Sequence, residues 1–380
     1  MTAISRLKER RAPALRDDVI GSKITEQRAD ATGRAGLTPG TCGSRLVCQI
    51  WDVKAWLLDD FTGLGALRLG EAPDPAPESG EAVLQIRYAA LNPADRYLAE
   101  RLYPAKPPLP HILGRDGLGT IVRVGARVSG LAQGERRAML RGQAGITRPG
   151  TFAEFVAAPA ENLVNIPPGW SEEQAAGATL VHLTAYQALT MWGALSAGSV
   201  VLVTGASGGV GVATVQLAAA MGCQVVALSR SKEKAQRLGQ LGAAATFDPE
   251  DAQWPQKVKS SLAPRRVDLA VDSVGGKLFS EIIDTLGELG KVSVVGRLAG
   301  PVPNFNTASL IFRRIRLGGV AVSAYSPAES RAAWQNILAL LSKSGARPLV
   351  DSVFPFEQLP KAFERLAQGP MGKVLLKGPG

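Results

Sequence analysis

Ser199 to Arg230 reads SVVLVTGASGGVGVATVQLAAAMGCQVVALSR, and the fold turns on this stretch. Val200 to Val203 is a short, mostly β-branched apolar run without the alternation of a half-exposed strand, which predicts a central parallel strand. Gly205, Gly208, Gly209 and Gly211 follow at once. There the strand must turn sharply and a ligand must approach the backbone closely, and only residues without a Cβ permit both. Val212, Val215, Leu217 and the alanines up to Ala220 give the next helix a packing face. Gly222 supplies its C′ stop, and Gln224 to Leu228 is a second apolar strand. The free N–H groups and positive dipole end of such a helix face the glycine turn, where a pyrophosphate can sit. The unit therefore points to dinucleotide binding by Ala206, Ser207, Gly208, Gly209, Val210 and Gly211. No Lys-Ser or Lys-Thr follows the glycines, which excludes a nucleoside-triphosphate loop. Met191 to Ser229 carries no charge, but its glycines would ruin a membrane-spanning helix, so it reads as two buried strands and a buried helix.

The end of the second strand bears on which dinucleotide is bound. An NAD site usually places Asp or Glu there for the ribose hydroxyls, whereas this chain offers Ser229, Arg230, Ser231 and Lys232. Two cations beside two hydroxyls suit a ribose 2′-phosphate, where one charge-assisted contact is worth ~1.5–3 kcal/mol. The competing reading is that Ser231 caps the next helix and the cations are merely solvated.

A chain of 380 residues, 46% hydrophobic, is long enough for two domains with sizeable cores. Its formal charge is +10, but the cations are spread out and aromatics make up only 6%, so neither a nucleic-acid stripe nor a stacking platform stands out. A polyanionic cofactor accounts for the basic balance without nucleic acid. Cysteine occurs only as Cys42, Cys48 and Cys223, and histidine only as His111 and His182. Neither a disulfide framework nor a four-cysteine zinc site follows, and a reducing, cytoplasmic setting is expected.

Residues 1–52 show no sustained periodicity and read as a disordered extension, or as upstream sequence ahead of a true start at Val53. From Val53 the chain is β-rich. Lys54 to Leu58, Ala82 to Leu91, Thr120 to Val124 and Gly150 to Val156 read as strands of a barrel-like or sandwich-like domain. Ser171 with Gln174 forms a capping-box signature for the helix leading out of it. A helix is expected at Thr184 to Leu195. After the glycine unit, Val267 to Val271, Val292 to Val295 and Ile315 to Val322 read as further parallel strands in a sheet of about six. Lys232 to Leu241 and Phe279 to Leu289 read as intervening helices. The tail offers helices near Ala332 to Leu341 and Gln358 to Ala367 and a closing strand Lys373 to Leu376.

VKAW at the start, LNPAD at Leu91 to Asp95, GRDGLGTIVRVG at Gly114 to Gly125, LTAYQAL at Leu183 to Leu189, GASGGVG and the closing GKVLL resemble the medium-chain dehydrogenase/reductase superfamily. Within it they look like the zinc-independent quinone and enoyl reductase branch. The resemblance implies an α/β protein: a GroES-like β-rich catalytic domain (53–178 and 326–380) interrupted by a Rossmann dinucleotide-binding domain (179–325). TGASGGVG also fits the short-chain dehydrogenase pattern. Its position far from the N-terminus and the lack of any Tyr-x-x-x-Lys reject that assignment.

In the zinc-dependent members, Cys, His and Cys hold the metal at places that correspond to Asn92, Arg115 and Leu180. None is a usual zinc ligand, so no metal is expected. The resemblance implies hydride transfer from NADPH to a quinone or an enone. It places Asn92 on the ribose and nicotinamide side, Thr184 and Tyr186 on the cofactor side, and Gly296 with Arg297 on a loop near the nicotinamide. Local readings compete: turn formation for Asn92, core packing for Tyr186, solvation for Arg297, and packing or capping for His182.

Tyr103, in LYPAKPPLP, resembles the tyrosine of mitochondrial-type enoyl thioester reductases. Its phenol can donate a proton at neutral pH, or its ring can simply pack at the loop base. The same family implies a homodimer through the Rossmann sheet edge. A non-catalytic, NADPH-binding, redox-sensing or RNA-binding protein is the alternative that fold alone does not exclude.

Overall fold

The structure is a computed structural model that describes residues 52–300 and 306–379. The extension expected over 1–52 lies outside them apart from Asp52, which opens the first strand.

The first lobe carries β1 (Asp52–Leu58), β2 (Leu67–Pro73), β3 (Glu81–Ala90), α1 (Pro93–Ala99), β4 (His111–Ile112), β5 (Gly117–Val124), β6 (Arg136–Met139), β7 (Phe155–Pro159) and β8 (Leu163–Asn165). β2, β1 and β4 form a small sheet. β3, β5, β6 and β8 form a larger antiparallel one, with β7 also paired to β3. Leu84, Ile86, Leu98, Ile121 and Phe152 fill the space between them.

Two helices lead out, α2 (Glu172–Ala176) and α3 (Thr179–Thr190). The expected capping box is present: Ser171 Oγ accepts from the Gln174 N–H and the Gln174 side chain takes the Ser171 N–H.

The second lobe is built from β9 (Val200–Val203), α4 (Gly209–Ala220), β10 (Gln224–Leu228), α5 (Lys232–Gln240), β11 (Ala243–Phe247), α6 (Trp254–Leu262), β12 (Val267–Asp272), α7 (Lys277–Thr285), β13 (Leu286–Val294), α8 (Ala308–Phe312) and β14 (Arg316–Gly319). All six strands are parallel, in the order β11-β10-β9-β12-β13-β14. Every residue of β9 is buried, as its unbroken apolar run requires.

The chain ends with α9 (Pro327–Ser344), β15 (Val350–Phe354), α10 (Leu359–Ala367) and β16 (Lys373–Lys377). β16 pairs with β15 and, antiparallel, with β3, so the C-terminal strand completes the first lobe's sheet. Helix α9, read from the sequence as part of that returning segment, packs Trp334, Ile337 and Leu341 into the cluster shared with α3 and α4. The polypeptide re-enters the first sheet only at Val350.

Several elements differ from the sequence reading. The helix expected over Phe279 to Leu289 stops at Thr285. Gly287 and Gly290 weaken a helix at that point and Leu289 takes φ 59°, so the segment joins β13 instead. β14 ends at Gly319, short of Val322, where a 3-10 turn begins. The strand expected over Gly150 to Val156 starts only at Phe155, and the helix expected from Thr184 starts at Thr179. Among the described residues no helix is long and apolar enough to cross a membrane.

Candidate cofactor and active site

The turn between β9 and α4 has the geometry its glycines imply. Gly205 sits at φ 57°, in the left-handed region. A Cβ on Gly211 would fall 2.2 Å from the Gly205 carbonyl oxygen, so the helix packs against the turn only because that atom is missing. The first helical bond is Val212 N–H to Gly208 O, 2.8 Å, which leaves the amides of Val210 and Gly211 at the open end of the helix, while a parallel bridge pairs Gly208 with Gly372. The turn is braced from behind. Thr204 donates to Asp272 Oδ1 at 2.6 Å, and Asp272 also accepts from the Val274 and Gly275 amides. Open amides at a helix start, held close to a turn by Gly209 and Gly211, where a Cβ would clash, fit a diphosphate.

At the end of β10, Ser231 does cap α5, accepting from the Lys234 N–H, and Lys232 opens that helix. Ser229 Oγ donates to the Ser231 carbonyl. Arg230 is exposed and reaches Glu250 Oε1 at 3.5 Å. The capping reading of Ser231 and the presence of two cations thus coexist, with an acid that sequence reasoning missed facing one of them.

On the first lobe, the candidate active-site residues are linked by side-chain contacts. Asn92, buried at the N-terminus of α1, donates its backbone N–H to Asp95 Oδ2 at 2.9 Å. Asp95 Oδ1 accepts from Arg115 Nε at 3.0 Å, and the Arg115 guanidinium carbon lies 4.7 Å over the ring of half-buried Tyr103. On the other side, the Asn92 Nδ2 donates to the Ala90 carbonyl, while Oδ1 accepts from Lys373 Nζ at 2.7 Å. Lys373 also donates to the Leu91 carbonyl and lies 3.4 Å from Asp116 Oδ2, whose other oxygen accepts from Thr179. Burial pushes the Asp95 and Asp116 carboxyls up against the pull of Arg115 and Lys373, and pushes the Lys373 ammonium down.

Sequence reasoning left Lys373 and Asp116 without a role. The available signal was a lysine opening the otherwise apolar run Val374 to Leu376, and an acid directly after Arg115.

The remaining candidates sit as follows. Thr184 Oγ1 donates back to the Leu180 carbonyl within α3. Tyr186 packs on the α3–α4–α9 cluster and its hydroxyl accepts from Asn336, which favours the packing reading. Gly296 follows β13 where a Cβ would meet the Ser273 carbonyl oxygen at 2.9 Å. Arg297 is not merely solvated: it donates to the Leu102 carbonyl at 3.2 Å and covers the Tyr97 ring, tying the second lobe to the loop that carries Tyr103. His182 is buried, with Nδ1 2.8 Å from the Ala178 carbonyl, and burial pushes its pKa down to about 4. That is a packing role.

An amide, a guanidinium and a leucine at the three places held by zinc ligands in metal-dependent relatives do not fit that metal. Among the described residues no group of three or more His, Cys, Asp or Glu converges elsewhere.

A parallel six-stranded sheet with a glycine cradle, set against a β-rich lobe closed by the C-terminal strand, defines a two-lobed dinucleotide-type α/β protein. Residues 78–168 match the family described as alcohol dehydrogenase GroES-like domain, and 209–343 the one described as zinc-binding dehydrogenase. The chain is 30% identical over 329 residues to the quinone oxidoreductase of Mus musculus, covering 85% of this chain and 97% of the relative. Among solved structures it is similar to an NAD-dependent alcohol dehydrogenase (TM-score 0.78, 28% identity, 85% and 99% of the two chains). It is also similar to a mycobacterial protein complexed with NADPH (TM-score 0.78, 27% identity, 86% and 99%). The chain belongs to the medium-chain dehydrogenase/reductase superfamily, in its quinone oxidoreductase branch. It is an oxidoreductase.

Proposed function

We propose that the protein is an NADPH-dependent, zinc-independent reductase of quinones or α,β-unsaturated carbonyl compounds. The observation that carries this is the link from the glycine turn through Lys373 to the network of Asn92, Asp95, Arg115 and Tyr103, with no usual zinc ligand at Asn92, Arg115 or Leu180. The α4 amides would hold the diphosphate, and Ser229, Arg230 and Lys232 would take the ribose 2′-phosphate. Asn92 would meet the nicotinamide half. Bound there, NADPH supplies the hydride.

The chain's own groups do the rest. Arg115 and Tyr103, side by side, would stabilise negative charge on a reduced carbonyl oxygen, and Tyr103 would donate the proton. Loss of NADPH absorbance with a panel of quinones and enones, unchanged by chelators, tests the reading. Turnover only after zinc is added would overturn it.

The same reading extends to assembly. β14 is the outer strand of its sheet, and Ile311 and Phe312 just ahead of it in the chain are exposed, which suits pairing with a second copy. A monomeric mass by light scattering would remove that part.

A further inference from the structure

Lys373 is a buried ammonium to which the hydride-transfer scheme gives no task. Its neighbour Gly372 donates its N–H to the Ser207 carbonyl at 2.8 Å, in the middle of the glycine turn. Its own stem runs along the same turn: a Cβ on Gly209 would fall 2.8 Å from Lys373 Cδ, and one on Gly177 3.1 Å from Lys373 Cβ. The ammonium then emerges on the far side and donates to the Leu91 carbonyl at 2.8 Å and to Asn92 Oδ1 at 2.7 Å. With Nδ2 bonded to the Ala90 carbonyl, the Asn92 amide is held at both ends.

Burying an ammonium is costly, and the partner does not fully offset it. Asp116 is itself buried, and its Oδ2 has no hydrogen bond beyond the 3.4 Å ion pair. A methionine would fill the same space but leave buried Asp116 unpaired. What the charge adds is a donor at a fixed place. One residue thereby spans the distance from the diphosphate cradle to the amide on the other lobe.

We propose that Lys373 is a positioning residue, holding the Asn92 amide at a set distance from the glycine turn so that both halves of one dinucleotide are engaged together. This rests on the reading that Asn92 meets the nicotinamide half. The test compares Lys373→Met, Asn92→Ala and the double variant in equilibrium titrations with NADPH and with adenosine 2′,5′-bisphosphate, which carries only the adenine half.

Each single variant should weaken NADPH binding roughly tenfold, the double variant no more than the weaker single, and the fragment should bind all four proteins alike. Should Lys373→Met fold poorly because Asp116 is left unpaired, Lys373→Met with Asp116→Asn replaces it in the same cycle. Losses that multiply in the double variant, or a fragment weakened by Lys373→Met, overturn the proposal while leaving the reductase reading intact. A wild-type protein that binds no dinucleotide overturns both.

Discussion

The Arg115 guanidinium lies 4.7 Å above the centre of the Tyr103 ring while its Nε holds Asp95 at 3.0 Å. The cation–ring contact fixes the ring beside the guanidinium. Hydride addition to the β-carbon of an enone leaves an enolate, which needs that proton. Tyr103→Phe keeps the ring contact and removes only the hydroxyl. Enone turnover should fall by roughly 10²-fold with NADPH affinity unchanged, in the range of a positioned acid. Quinones should suffer less, because their reduced oxygens can take protons from solvent. Unchanged enone kcat in the variant would leave Tyr103 as packing.

Arg230 and Glu250 make an exposed pair at 3.5 Å at the end of β10. An exposed pair is weak, so a 2′-phosphate competes easily for the guanidinium. Arg230→Ala should raise the KM for NADPH by roughly 10- to 100-fold, matching a lost charge-assisted contact, and leave NADH nearly untouched. Glu250→Gln should lower the KM for NADPH. Equal changes with both dinucleotides would remove the 2′-phosphate from this site.

Gly211→Ala puts a Cβ within 2.2 Å of the Gly205 oxygen, a backbone atom that cannot swing aside. Shifting the turn should cost about 1–3 kcal/mol of stability, as overpacking does, and weaken dinucleotide binding with it. Thermal unfolding with and without NADPH checks this. Wild-type melting and wild-type affinity together would show the turn to be more pliant than its geometry implies.

His182 predicts a pH dependence with a definite sign. Its pKa falls from 6.5 unfolded to about 4 folded, so between those values the unfolded chain takes up a proton that the native one refuses. Stability is therefore lost as pH drops from 6.5 towards 4, by up to about 3 kcal/mol for this group. His182→Asn retains a donor for the Ala178 carbonyl and does not titrate. Its deficit against wild type in urea unfolding should be largest at pH 7 and shrink towards pH 4. A deficit that stays constant with pH would mean that His182 is not the responsible group.

Much of this was readable in the sequence because it is local. Val200 to Val203, Gln224 to Leu228 and the glycines between them appear where the unbroken apolar runs and the Cβ constraint put them. The errors fall where tertiary pairing overrides pattern. Leu286 to Leu289 continues the helical period of α7, but Gly287, Gly290 and the free edge of β12 make it a strand. The catalytic candidates were found singly, through motif resemblance, and not as a network. Asn92 and Lys373 are 281 positions apart, and no sequence period announces that a C-terminal lysine will thread past the glycine turn to reach an asparagine of the first lobe.

The central claim is direct hydride delivery from NADPH to carbon. A single-turnover reaction with NADPH carrying deuterium at both C4 positions of the nicotinamide, an enone acceptor and product analysis by mass spectrometry and NMR tests it most directly. One deuterium at the product's β-carbon and a solvent-derived proton at its α-carbon are expected. Loss of NADPH without deuterium in the carbon product, or no reduction of any acceptor, would contradict the account.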